Sequence, residues 1–163
     1  MGADEEMQQA TAYDKMGLPG LLRGARQAFR NAIRQAFADA GFDDMPRNGA
    51  YVLARVYDDD ASFTRLAREL GISKQAVSQL IDTMVMRGYL ERSPDSEDRR
   101  RMLLQLTPRG QAAATVSWEA ATAVDEELLR RLSAGGVAAL RAGLATLCEI
   151  AADSEVSTLD YRR

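Results

Sequence analysis

The chain has 163 residues, 46% of them hydrophobic, and 21 Lys and Arg against 24 Asp and Glu leave it at a formal net charge of −3. That length suits one domain burying about 70% of the surface its unfolded chain would expose, with nothing in the composition of a disordered or collagen-like chain. With no histidine and one cysteine, Cys148, the chain lacks the commonest general base, the commonest zinc ligand and any intrachain disulfide.

Residues 1–15 are acidic and polar without an apolar h-region, so they read as a mobile tail and not as a signal or transit peptide. Leu18, Leu21, Leu22, Ala25, Phe29, Ala32, Ile33, Ala36, Phe37 and Ala40 recur at helical spacing and predict a long first helix ending at Gly41. Arg23, Arg26, Arg30 and Arg34 lie on its polar side, solvated or paired with acidic neighbours. A second helix is expected over residues 46–57, sending Tyr51, Val52, Leu53 and Val56 to the core. The acidic turn Asp58-Asp59-Asp60 that follows lacks the further ligands a hard-cation loop needs and reads as a solvated turn.

The stretch from residue 62 to residue 110 carries most of the information. Ser62 caps a helix in which Phe63, Leu66, Ala67 and Leu70 form an apolar face, and Gly71 ends it. After a short turn, Ser73 caps another helix reaching about Arg87, with Gly88 as its left-handed terminator. Ile72, Ala76, Val77, Leu80, Ile81, Met84 and Val85 of this segment must face a core. Ser73, Lys74, Gln75, Ser78 and Gln79 are left on the other side, and such donors and acceptors can read base edges. Residues 89–93 and 102–106 read as short strands around a turn-rich tip at 94–98. Three arginines, Arg99, Arg100 and Arg101, open the returning strand. Alternate residues of an extended chain share a face, so Asp98 can orient Arg100 for a narrow minor groove while Arg99 and Arg101 meet phosphates. Thr107 then caps a helix with Pro108 at its first position.

The motifs Gly71-Ile72-Ser73-Lys74-Gln75-Ala76-Val77-Ser78, Arg87-Gly88-Tyr89-Leu90-Glu91-Arg92, Asp98-Arg99-Arg100 and Leu106-Thr107-Pro108-Arg109-Gly110 resemble the winged-helix core of the MarR family of bacterial transcription regulators. The resemblance covers about residues 46–115. It implies a triangular homodimer joined through N- and C-terminal helices, a recognition helix in each major groove and a wing arginine in each flanking minor groove. Asp98 and Arg100 match the family's wing Asp-x-Arg pair.

Two more helices are expected after the wing, from residue 108 to about 132 and from 137 to about 151, separated by Ser133-Ala134-Gly135-Gly136. The terminal helices carry more apolar positions than one small winged domain can cover, which suits a shared dimer interface with Leu21, Leu22, Phe29, Leu140, Leu144 and Leu147 as candidates. Trp118 and the Phe and Tyr residues are expected mostly in the core, and Cys148, amid Leu144, Leu147 and Ile150, is expected to be buried and inert. Charge distribution fits a DNA partner. Residues 63–110 hold nine basic and six acidic side chains, a small positive surface on an acidic body.

The expected fold class is therefore mainly α with a small β-hairpin wing, a winged helix-turn-helix flanked by dimerisation helices. Its parts are a tail (1–16), an N-terminal dimerisation helix (17–45), the DNA-binding region (46–110), C-terminal dimerisation helices (111–153) and a second tail (154–163). The expected function is a cytoplasmic, non-enzymatic regulator, a repressor that binds pseudo-palindromic double-stranded DNA as a homodimer and answers to a small-molecule effector whose residues the sequence does not name. No catalytic residue, metal site, cofactor or membrane association is expected. The competing readings are a winged helix that serves only protein interaction, against which Lys74, Gln75, Gln79 and the Asp98/Arg100 pair argue, and a redox switch through Cys148, which requires an exposed thiol.

Overall fold

The computed structural model describes residues 13–59, 61–94 and 102–160, with side chains throughout except at Met102 and over residues 151–160. In chain order the elements are α1 (Leu18–Asp39), α2 (Gly49–Tyr57), α3 (Phe63–Leu70), α4 (Lys74–Met86), β1 (Leu90–Pro94), β2 (Met102–Leu106), α5 (Pro108–Arg131) and α6 (Ala134–Asp160). The fold is mainly helical with one antiparallel hairpin, in which Leu90 pairs with Leu106, Arg92 with Leu104 and Pro94 with Met102.

Local chemistry sets the boundaries. Ser62 Oγ accepts from the Arg65 amide at 3.3 Å to open α3, and Ser73 Oγ accepts from the Ala76 amide at 3.1 Å to open α4. Thr107 Oγ1 accepts from the Gly110 amide at 3.0 Å at the start of α5, and Ser133 Oγ accepts from the Gly136 amide at 3.2 Å at the start of α6. Gly71 (φ 64°) and Gly88 (φ 71°) stand left-handed where α3 and α4 stop, a conformation costly for any residue with a Cβ.

Three boundaries differ from expectation, the first being that the last helix begins at Ala134 and not at residue 137, because Ser133 caps it and the expected spacer Ala134-Gly135-Gly136 forms its first turn. The second helix starts at Gly49 and not at Pro46, because the Gly49 amide closes a turn on the Pro46 carbonyl at 2.8 Å and Asn48 takes a left-handed φ of 69°. The last helix runs to Asp160, past the end expected near residue 151 and through most of the expected second tail. No glycine or proline lies between 151 and 160 to stop it.

The chain divides into two compact units, Met1–Thr122 and Ala123–Arg163. In the first, Phe37, Val52, Leu53, Val56, Leu66, Val77, Ile81, Met84, Tyr89, Leu90 and Ala113 form one buried cluster drawn from α1 through the start of α5. Gly110 belongs to its edge: a Cβ there would run into the Tyr89 carbonyl, so α5 can approach the wing root this closely only through a glycine. In the second unit no described side chain is buried. Leu129, Leu140, Leu144, Leu147 and Ile150 are all exposed in the single chain. Among the described residues no helix is long and apolar enough to cross a membrane.

Candidate nucleic-acid interface

The helix α4 sorts its side chains cleanly. Val77, Ile81 and Met84 are buried, with Ala76, Leu80 and Val85 partly so, while Ser73, Lys74, Gln75 and Gln79 are exposed and Ser78 is half-buried. The first two turns therefore present a polar set of donors and acceptors on a backbone anchored from behind. Lys74 is the only charged side chain there, and α4 has no acid in its first turn, so the partial positive charge of the helix N-terminus is unopposed. Thr83 Oγ1 donates back to the Gln79 carbonyl at 2.8 Å, which keeps that hydroxyl engaged within the helix.

One acid does lie on the exposed side. Asp82 follows Gln75 by seven residues and so stands on its face, two turns along. Its Oδ1 accepts from Arg92 Nη2 at 2.6 Å, an ion pair that ties β1 to α4. Sequence reading missed this pair because ten residues and a change of element separate its members.

The base of the wing is held by a second network the sequence did not disclose. Tyr89 is fully buried, and its hydroxyl donates to Asp44 Oδ1 at 2.5 Å. Arg109 Nη2 donates to the same oxygen at 2.8 Å, its Nη1 donates to the Arg87 carbonyl at 2.6 Å, and its guanidinium lies 4.4 Å from the Tyr89 ring centroid. Arg87 donates to the Asp44 carbonyl. Burial, then the bond to Asp44, pushes the Tyr89 hydroxyl up to about 12. The Tyr89 hydroxyl bond, followed by the nearby Arg109 and Arg87 charges, holds Asp44 below its ordinary carboxylate range despite some burial in the opposite sense. Thr107 Oγ1 also donates to the Gly88 carbonyl at 2.5 Å, so the residues on both sides of the hairpin are tied at its root.

A matching cluster braces α2 against α3. Tyr51 donates to Glu69 Oε2, Arg65 Nε donates to Glu69 Oε1 at 3.0 Å, and Arg55 Nε donates to the Tyr51 hydroxyl at 3.1 Å. The Tyr51 bond lowers Glu69, whereas burial and that same bond raise Tyr51.

The wing residues Asp98, Arg99, Arg100 and Arg101 lie outside the described residues, as does Asp60 of the acidic turn. Asp58 of that turn sits 3.8 Å from Arg55 Nη1, and among the described residues no cluster of His, Cys, Asp or Glu is placed to hold a metal ion.

Three expectations about burial are corrected. Cys148 is exposed in the single chain and not packed into a core, because α6 has no buried face there. Trp118 is 68% exposed, since the buried face of α5 passes through Gly110, Ala113 and Ser117 and the indole points off it. Phe63, at the first position of α3, is 39% exposed, and Leu66 alone of that helix is fully buried.

The MarR family profile matches residues 43–101. The transcriptional regulator AdcR of Streptococcus pneumoniae serotype 2 (strain D39 / NCTC 7466) is 37% identical over 57 residues, a match that spans 35% of this chain and only 39% of AdcR. Among solved structures, the reduced form of MarR from E. coli aligns with a TM-score of 0.62 at 23% identity, covering 81% of this chain and 96% of that one. MepR of S. aureus bound to ethidium bromide aligns with a TM-score of 0.55 at 17% identity, covering 83% and 97%. A MepR variant bound to an oligodeoxyribonucleotide aligns with a TM-score of 0.51 at 17% identity, covering 83% and 98%. At these identities the structural likeness is one of fold.

Proposed function

We propose that this protein, whose residues 43–101 match the MarR family profile, is a transcription regulator that binds a pseudo-palindromic operator as a homodimer, a repressor released by a small-molecule effector. The observation that carries the DNA-binding part is the exposed, acid-free first half of α4, where Lys74, Gln75 and Gln79 project from a helix fixed by its buried face. A helix presenting its N-terminal side chains this way is how a helix-turn-helix enters the major groove. Gln75, Gln79 and the half-buried Ser78 read base edges, Lys74 meets phosphate, and Arg100, oriented by Asp98, enters the minor groove with Arg99 and Arg101 on the backbone.

The fold relative MepR supports the two ligand classes, since its structures hold an oligodeoxyribonucleotide in one case and ethidium in another. The homodimer is supported by the apolar side chains that α1 and α6 leave exposed: Leu21, Leu22, Leu140, Leu144 and Leu147.

Selection of binding sites from random duplexes, followed by titration at several salt concentrations, tests the assignment. Gln75→Ala and Gln79→Ala should each relax preference at particular base pairs. Lys74→Ala should weaken all sequences alike and reduce the salt slope by about one unit. The same motif returned by wild type and both glutamine variants would remove the base-reading role.

A further inference from the structure

The residues on either side of the hairpin converge on one acid. Tyr89 leads into β1, Arg109 stands in the first turn of α5 just after β2, and both donate to Asp44 Oδ1, at 2.5 and 2.8 Å. Arg87, at the end of α4, donates to the carbonyl of the same residue. Among the described residues Asp44 is the only acid paired with Arg109. One residue of the loop after α1 thus holds the end of α4 and both ends of the hairpin.

That loop is itself fixed. The Phe42 amide donates to the Phe37 carbonyl at 2.8 Å and the Met45 amide to the Phe42 carbonyl at 3.0 Å, so the turn carrying Asp44 closes on the buried last turn of α1. The centroid of the Phe42 ring lies 6.1 Å from that of Phe37 and 6.1 Å from that of Tyr89. The Arg92–Asp82 pair farther out holds one strand only, whereas the Asp44 network takes hold of the chain on both sides of the hairpin. From Tyr89 to Pro94 the extended chain spans about 17 Å. A turn of about 10° at the root would therefore move the far end by about 3 Å, the length of a hydrogen bond.

We propose that Asp44 is a positioning residue for DNA recognition: by pinning the root of the hairpin to the ends of α1 and α4, it sets the angle at which the wing meets the duplex while α4 lies in the major groove. This deepens the DNA-binding reading and rests on it. The carboxylate acts through Tyr89 and Arg109 and not by contact with DNA. The sign of its charge separates the two possibilities. Removing an acid and releasing Arg87 and Arg109 should, by charge alone, tighten binding to any duplex. Loss of the pin should instead weaken binding to the operator, because the wing then samples angles at which its arginine misses the groove.

The test uses the full-length protein, a duplex it selects from random sequences and an unselected duplex, with urea unfolding to show that each variant is folded in the assay. Asp44→Ala should bind the selected duplex about tenfold more weakly, the loss of roughly one good groove contact, and the unselected duplex no more weakly than wild type. Arg100→Ala should also weaken selected binding. Once Arg100 is replaced, Asp44→Ala should cost less than about threefold more, because the contact it positions is already gone. Asp44→Asn, which keeps an acceptor oxygen and the shape but not the charge, should fall between Asp44→Ala and wild type, and it decides both comparisons if Asp44→Ala does not fold. Selected binding that is unchanged or tighter in the folded variant would overturn the proposal. So would equal losses on both duplexes, equal losses with and without Arg100, or an Arg100→Ala protein that binds as wild type, since then no wing contact is being positioned. A wild type that selects no sequence and binds every duplex alike defeats the DNA-recognition reading itself, an outcome separate from these.

Discussion

Tyr89 illustrates how one residue couples stability to the site. Its ring fills the core beneath the wing while its hydroxyl binds Asp44, and the two groups are displaced in opposite directions, Tyr89 from 10.0 to about 12 and Asp44 below 3.8. A raised folded value for Tyr89 gives stability that is whole below pH 10 and is lost as pH rises from about 10 to about 12. Lowered folded values for Asp44 and Glu69 give stability that is whole above their ordinary 3.8 and 4.5 and is lost as pH falls through the lower folded values. Urea midpoints measured against pH should therefore decline at both ends, with Tyr89→Phe flattening the alkaline limb and Asp44→Asn the acid limb. An alkaline limb unchanged by Tyr89→Phe would assign it elsewhere. At the same scale, Arg100→Ala should cost roughly 1 to 3 kcal/mol of operator affinity, the range of one good groove contact, and Asp98→Ala less, because the aspartate only orients the arginine. A salt-controlled gel shift in which Arg100→Ala binds as tightly as wild type would remove the minor-groove role.

Among elements, the helices were legible because burial imposes a 3.6-residue period and because Ser62, Ser73 and Thr107 are capping residues placed directly before apolar runs. The paired strands were legible from alternation and from Gly88 and the turn-rich tip. Less accessible were groups that meet across the chain: Asp44 lies 45 residues from Tyr89 and 65 from Arg109, and no local pattern records such a meeting. The exposure of Trp118 and Cys148 escapes the sequence pattern for a related reason. Periodicity says that a helix has an apolar face but not whether anything in the same chain covers it. The Asp82–Arg92 bond is the functional case of a contact between elements, since it masks the one acid on the reading face of α4 and fixes the first strand of the hairpin against that helix. Arg92→Ala should both expose Asp82 to the phosphates and free the hairpin, so operator affinity should fall more than for Arg92→Ala/Asp82→Ala, in which the unmasked charge is absent. Equal affinities for the single and double variants would leave the bond no electrostatic role at the interface.

The whole molecule poses the question of what covers α6. Leu140, Leu144, Leu147 and Ile150 are 39–56% exposed in the single chain, and Cys148 shares their side of the helix. A row of four large apolar side chains facing water favours association, each gaining on the order of 1 kcal/mol or more if covered. In the homodimer proposed here, the covering surface is the partner, and the Cys148 thiol should react slowly with a thiol reagent at high protein concentration and faster on dilution. The strongest test removes the element. Ending the chain after Leu132 deletes α6 while leaving the buried cluster from Phe37 to Ala113 intact, so the winged unit retains its own core. The truncated protein should be monomeric in sedimentation, or aggregate through whatever apolar surface α6 had covered. Either way, two recognition helices are no longer held about 34 Å apart, the spacing that lets both enter successive major grooves on one side of the duplex. Affinity for a palindromic site should then drop to that for a half-site, while an isolated half-site is bound as before. Retention of full affinity for the palindrome by a monomeric truncation would mean that each winged helix binds on its own, and that dimerisation through α6 has no part in operator recognition.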